Sequence, residues 1–154
     1  MMEGRWTLNS DGGARGNPGP GGAGIILRAP DGSIAVRGGA FLGSVTNNVA
    51  EYEALLWGLR AARALGVSDL VVKADSELVV RQLRGEYRVK NEGLKPLFLQ
   101  AQALRRGFDA LEFVHVRRAD NADADALANE AMDGRCVVGD APEPPSAGDS
   151  RLFE

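Results

Sequence analysis

Four acidic residues, Asp11, Glu51, Asp75 and Asp125, stand where a carboxylate could do chemistry. Asp11 follows the alternating run RWTLNS and opens the glycine-rich stretch DGGARGNPGPGGAG, so a strand ends on an acid with little bulk after it. Glu51 lies in the first turn of an Ala- and Leu-rich segment, Asp75 ends the apolar run DLVVKAD, and Asp125 comes one turn into NADADALANEAM. Taken singly, three of them have ordinary structural readings: a hairpin turn at Asp11-Gly12, a helix-dipole partner at Glu51 and a helix cap at Asp75. Brought to one edge of a sheet, the four repel one another unless they share protons or bind cations. An all-oxygen set suits Mg²⁺ or Mn²⁺ rather than zinc, which favours His and Cys. Two such ions, roughly 3.5–4 Å apart, activate a water and stabilise the leaving oxygen of a phosphodiester without a protein nucleophile. The chemistry these acids could support is hydrolysis of a phosphate ester.

The elements that must position them follow from periodicity and punctuation. Trp6 and Leu8 alternate with polar neighbours in a first strand; residues 23–28 and 33–41 read as two more, joined at the turn Pro30-Asp31-Gly32. Thr46, Asn47 and Asn48 supply capping side chains for a helix over 50–64, which Gly66 stops. A fourth strand covers 69–75, a short helix 76–83, and an amphipathic helix 94–106 with Leu94, Leu97, Phe98, Ala101 and Leu104 at spacings of three and four. A fifth strand covers 111–117, and a last helix 121–132 turns Ala124, Leu127, Ala128 and Ala131 inward. The order β-β-β-α-β-α-α-β-α predicts an α/β fold: a five-stranded mixed sheet, three antiparallel strands then two parallel, flanked by helices. Ligands in open α/β sheets gather beyond the strand ends. If the first and fourth strands are parallel neighbours, Asp11 and Asp75 arrive together, and helix starts aim Glu51 and Asp125 at the same spot.

The chain's 154 residues, 44% of them hydrophobic, fit one domain over 1–133 followed by a Pro-, Gly- and Asp-rich, loosely packed tail over 134–154. Cys136 is the only cysteine, which excludes an intrachain disulfide or a thiolate metal cluster and makes a reducing cytoplasm the expected compartment. Apolar runs fall short of the roughly 20 residues of a membrane span, so no membrane partner is expected. The formal charge of −3 argues against coating nucleic acid by bulk electrostatics, although metal-binding acids and the acidic tail would mask a local basic patch.

The motifs DGGARGNPGPGG at Asp11, TNNVAEYEAL at Glu51, ADSELVV at Asp75 and NADADALANEA at Asp125 occur in an order that resembles type 1 ribonuclease H, over roughly residues 5–133. The resemblance implies the ribonuclease H-like fold and endonucleolytic cleavage of the RNA strand of an RNA–DNA hybrid, leaving 5′-phosphate and 3′-hydroxyl ends; a monomer is the expected state. It places Asp11, Glu51, Asp75 and Asp125 as the four ligands of two Mg²⁺ ions, with Mn²⁺ as a substitute. Asp123 lies near, but the family pattern sets the aspartate directly before Ala-Leu-Ala, which is Asp125. Gly12, Asn17, Thr46, Asn47, Asn48, Ser76, Arg117 and Arg118 fall at substrate-contacting positions. Short hydrogen-bonding side chains of this kind suit 2′-hydroxyls, base edges and phosphates, and equally suit turns and helix caps.

Two departures from the family pattern stand out. Many members carry a lysine-rich helix and loop mid-chain, whereas here GEYRVKN at 85–91 joins two helices directly, leaving Arg81, Arg84, Arg88 and Lys90 as a smaller basic set. Weaker, salt-sensitive binding is expected from so few cations. Many members also place a histidine on a mobile loop before the last helix. The one histidine here, His115, sits inside the strand FVHVR, so a structural role is favoured for it, and Arg117 or Arg118 is placed to fill the gap near the scissile phosphate. Two other classes fit less well: a hybrid-binding module would gain by neutralising its acids, and an integrase-like transferase needs further domains.

Overall fold

A computed structural model describes residues 4–145. Its sheet has six strands in the order β5-β4-β1-β2-β3-β6. β1 (Trp6–Ala14), β2 (Gly19–Arg28) and β3 (Ile34–Val45) form the antiparallel meander, while β4 (Asp69–Ala74) and β5 (Ala110–His115) add in parallel beside β1. The helices are α1 (Asn47–Ala64), α2 (Glu77–Leu83), α3 (Lys95–Arg105) and α4 (Ala122–Gly134), the last preceded by a 3₁₀ turn over Arg118–Asn121. The mixed sheet and element order match the sequence expectation, apart from the sixth strand.

Alternation along β1 decides where the acids go, because successive side chains of a strand point to opposite faces. Leu8 and Gly12 face α1: the Leu8 side chain lies beneath Gly58, and the Ala50 carbonyl lies over Gly12. Asn9 faces the other way, where its Nδ2 donates to Asn121 Oδ1 at 2.9 Å just before α4. Asp11 shares that second face. Two helix layers thus sandwich the sheet, and α1 supplies many of the largest buried side chains, Tyr52, Leu55, Leu56, Trp57 and Leu59, all at most 1% exposed. Each such side chain contributes roughly 1.5–3 kcal/mol through burial.

Glycines let both helices settle onto the sheet backbone. A β-carbon on Gly12 would stand 2.1 Å from the Ala50 carbonyl oxygen, and one on Gly24 would stand 2.0 Å from that of Ala124. The stretch after Asp11 is therefore not the turn the sequence suggested. β1 runs on through Ala14, with Gly12 opposite Ala23 and Gly13 opposite Gly22, so that α1 can approach.

The loosely packed tail expected from residue 134 is also corrected over its first dozen residues. Val137–Gly139 form β6, pairing antiparallel with Gly38–Ala40 of β3. Ala141 is buried, and Trp57 Nε1 donates to the Pro142 carbonyl at 2.9 Å. A three-residue strand among Gly, Pro and Asp leaves no periodicity to read, whereas the edge of β3 offers a free ladder to complete. The rest of that tail, 146–154, lies outside the described residues.

Candidate active site

Parallel pairing places Ser10 beside Ala74, so the next residues of the two chains, Asp11 and Asp75, emerge side by side. The close seating of α1 on Gly12 brings Glu51 to the same point, and the Gly12 N–H hydrogen-bonds the Glu51 carboxylate. One carboxylate oxygen from each of Asp11, Glu51 and Asp75 lies within 4.8 Å of the others. Asp125 enters from α4 on the opposite helix layer and hydrogen-bonds Asp11. Asp11, Glu51 and Asp125 line one cleft of about 310 Å³, together with Asn47 and Arg118.

Burial pushes the Asp11 carboxyl up to about 8, aided by the neighbouring Asp75 and Asp125. Burial likewise raises Glu51 well above the usual carboxylate range, followed by the charges of Asp11 and Asp75. The Arg118 guanidinium pulls both groups the other way. Converging carboxyls that resist ionisation repel one another, a repulsion that a bound cation would relieve. A second observation agrees: Asp75 Oδ2 is buried and meets no hydrogen-bond donor. Hard oxygen donors of this kind fit Mg²⁺ or Mn²⁺.

The substrate-contacting candidates differ in their surroundings. Asn17, Thr46, Asn47 and Ser76 are engaged in local structure. Asn17 Oδ1 accepts from the Asn47 N–H at 3.0 Å and Asn47 Oδ1 from the Ala14 N–H at 2.8 Å, which locks the β1–β2 loop to the start of α1. Thr46 caps α1 through the Val49 N–H, and Ser76 caps α2 through the Val79 N–H. Asn48 is half-buried on the first turn of α1. Gly12 sits buried beneath that same helix start.

Arg117 and Arg118 separate: Arg118 lines the cleft, whereas Arg117 is 83% exposed and pairs with Asp120 at 3.1 Å. Asp123 also turns away, pairing with Arg28 at 2.9 Å. His115, the last residue of β5, is exposed there and not on a loop. Within the smaller basic set, Arg81 pairs with Glu77 and Glu86, and Arg84 with Glu86, while Arg88 and Lys90 are exposed. Two polar cleft residues were not singled out from the sequence, Arg15 and Asn129. The signal for Asn129 is its place four residues after Asp125, one turn along the same helical face.

The reverse transcriptase-like family matches residues 9–131. Ribonuclease HI of Halobacterium salinarum is 45% identical over 130 residues, 84% of this chain, which spans 65% of that relative's length. Among solved structures, the N-terminal RNase H domain of a Mycobacterium tuberculosis protein superposes with a TM-score of 0.83 at 43% identity, over 86% of this chain and 96% of that one. LC11-RNase H1, solved in complex with an RNA/DNA hybrid, gives 0.80 at 41% identity, over 84% and 98%.

Proposed function

The chain belongs to the type 1 ribonuclease H family, and from that premise we propose that it is an endoribonuclease hydrolysing the RNA strand of RNA–DNA hybrids. The observation that carries the reading is the convergence of Asp11, Glu51 and Asp75 within 4.8 Å, with Asp125 hydrogen-bonded to Asp11. The two-metal mechanism, the 5′-phosphate and 3′-hydroxyl ends, Mg²⁺ as the working ion, and a cytoplasmic monomer belong to the same proposal.

Asp11, Glu51, Asp75 and Asp125 would hold the cations, giving up shared protons as these bind. Bound divalent ions supply an activated water and neutralise charge on the leaving oxygen. Arg118 extends a permanent positive charge over the cleft toward the scissile phosphate. The interlocked Asn17 and Asn47 and the capped start of α1 present hydrogen-bonding groups on a fixed backbone, suited to the ribose and phosphates of the strand to be cut. The hybrid bound to LC11-RNase H1 supports the same class of substrate here.

The test is cleavage of one end-labelled sequence prepared as hybrid, RNA duplex and DNA duplex, with Mg²⁺, Mn²⁺ or chelator, beside Asp11→Asn. Metal-dependent cuts in the hybrid's RNA, absent from the variant, are expected. A hybrid that is bound yet left intact with either metal would make the protein a binding module instead.

A further inference from the structure

We propose that Asn129 is a positioning residue for Asp125, held in that role by Arg15; the inference rests on the metal-site reading above. Asp125, Asn129 and Asp133 stand at four-residue intervals on α4, so their side chains line one face. Asn129 Nδ2 donates to the Asp125 carboxylate at 3.2 Å and to the Asp125 backbone carbonyl at 3.1 Å. Its Oδ1 accepts from Arg15 Nη2 at 3.2 Å, and Arg15 Nη1 reaches Asp133 at 2.7 Å.

The amide has only one workable orientation. Arg15 can only donate, so Oδ1 must face it, which leaves Nδ2 for the carboxylate. Arg15 is four residues past Asp11, in the loop just after β1, and its guanidinium fork spans the cleft to α4. One chain of hydrogen bonds thus links the strand that carries Asp11 to the carboxylate that faces Asp11 from the other layer.

The chemistry explains why an amide intervenes. A guanidinium placed directly on Asp125 would form an ion pair and compete with a cation for its oxygens. Asn129 passes on direction without charge. The Arg15–Asp133 pair is about half exposed on one side and 68% on the other, so its contribution to stability is small and its consequence is orientation. Outer partners that orient metal ligands typically govern affinity by 10–100-fold, and about tenfold is expected here.

The experiment measures Mn²⁺ binding by titration calorimetry and the Mg²⁺ dependence of hybrid cleavage on the whole chain, for wild type, Asp125→Asn, Asn129→Ala, Arg15→Ala and the double variant. Asn129→Ala should weaken Mn²⁺ binding ~10-fold and raise the Mg²⁺ midpoint equally, with KM for the hybrid unchanged at saturating metal. Arg15→Ala, a change on an exposed loop that leaves the helix untouched, should shift both in the same direction by less. The double variant should be no worse than Asn129→Ala. Metal titrations that superimpose on wild type, or single penalties that multiply in the double variant, would overturn the inference alone, provided wild type binds metal and Asp125→Asn does not. A wild-type chain that binds no Mn²⁺ would remove this inference and the proposed function together.

Discussion

Asp123 and Asp125 stand two positions apart on α4 and face different partners: Asp123 pairs with Arg28 at 2.9 Å, whereas Asp125 hydrogen-bonds Asp11 and lines the cleft. Asp125→Asn should lower kcat/KM on the hybrid by at least ~10²-fold, the range for disturbing a metal site. Asp123→Asn should leave it within about twofold and cost about 1 kcal/mol, because the Asp123 side chain is 70% exposed although its Arg28 partner is partly buried. Equal losses in the two variants, measured by steady-state kinetics, would contradict the assignment.

Gly12→Ala forces a β-carbon against the Ala50 carbonyl, a backbone atom that cannot swing aside. The expected cost is ~1–3 kcal/mol of stability, with activity falling further as α1 and Glu51 move off. Gly13→Ala is the matched comparison, since the nearest atom to its β-carbon, Asn47 Oδ1, is 3.9 Å away. Thermal melts of the pair should separate clearly.

Metal-free stability should fall as pH rises. Asp11 is raised from 3.8 to about 8 and Glu51 is raised as well, so the folded chain binds more protons than the unfolded chain across that interval. Stability from these groups is complete below pH ~4 and is lost as pH climbs toward 8. In chelator, the melting temperature should therefore gain from acidification between pH 8 and 6, and Asp11→Asn should flatten the slope. Added Mg²⁺ or Mn²⁺ should raise stability most at the alkaline end, where the carboxylates are ionised. A melting temperature in chelator that climbs from pH 6 to 8 would contradict this electrostatic picture.

Arg118→Ala should reduce kcat ~10²-fold, as removal of a preorganised charge-stabilising donor does, while Arg117→Ala changes little. His115→Ala should also be close to neutral, since the imidazole is exposed at a strand end. A bell-shaped pH–rate profile that loses one limb in His115→Ala would show instead that the histidine takes part.

Much of this arrangement was legible in the chain because each acid sits near an element boundary: strand alternation before Asp11, a short apolar run before Asp75, and helical spacing after Glu51 and around Asp125. The meander, the parallel pair and the three long helices follow from the same signals. What stayed hidden depends on partners distant in sequence. Gly12 and Gly13 read as a turn because glycine marks both turns and close backbone approach, and only Ala50, 38 residues on, decides between them. β6 exists because β3 has a free edge, and Arg15 matters because of Asn129, 114 positions later. Local patterns carry none of these.

The glycine bed under α4 has a consequence for synthesis. Gly22, Gly24 and Gly39 leave the ribosome early, whereas the carbonyls that cover them, from Ala124, Leu127 and Ala128, come close to the end of the described chain. Asp11, Glu51 and Asp75 can gather in a nascent chain that still lacks its last helix, but the fourth carboxylate arrives only when that helix docks. Until then a strip of bare sheet backbone waits on one face, and the acidic cluster lacks its fourth member. Assembly of the four-acid cluster is thereby tied to the synthesis and docking of α4.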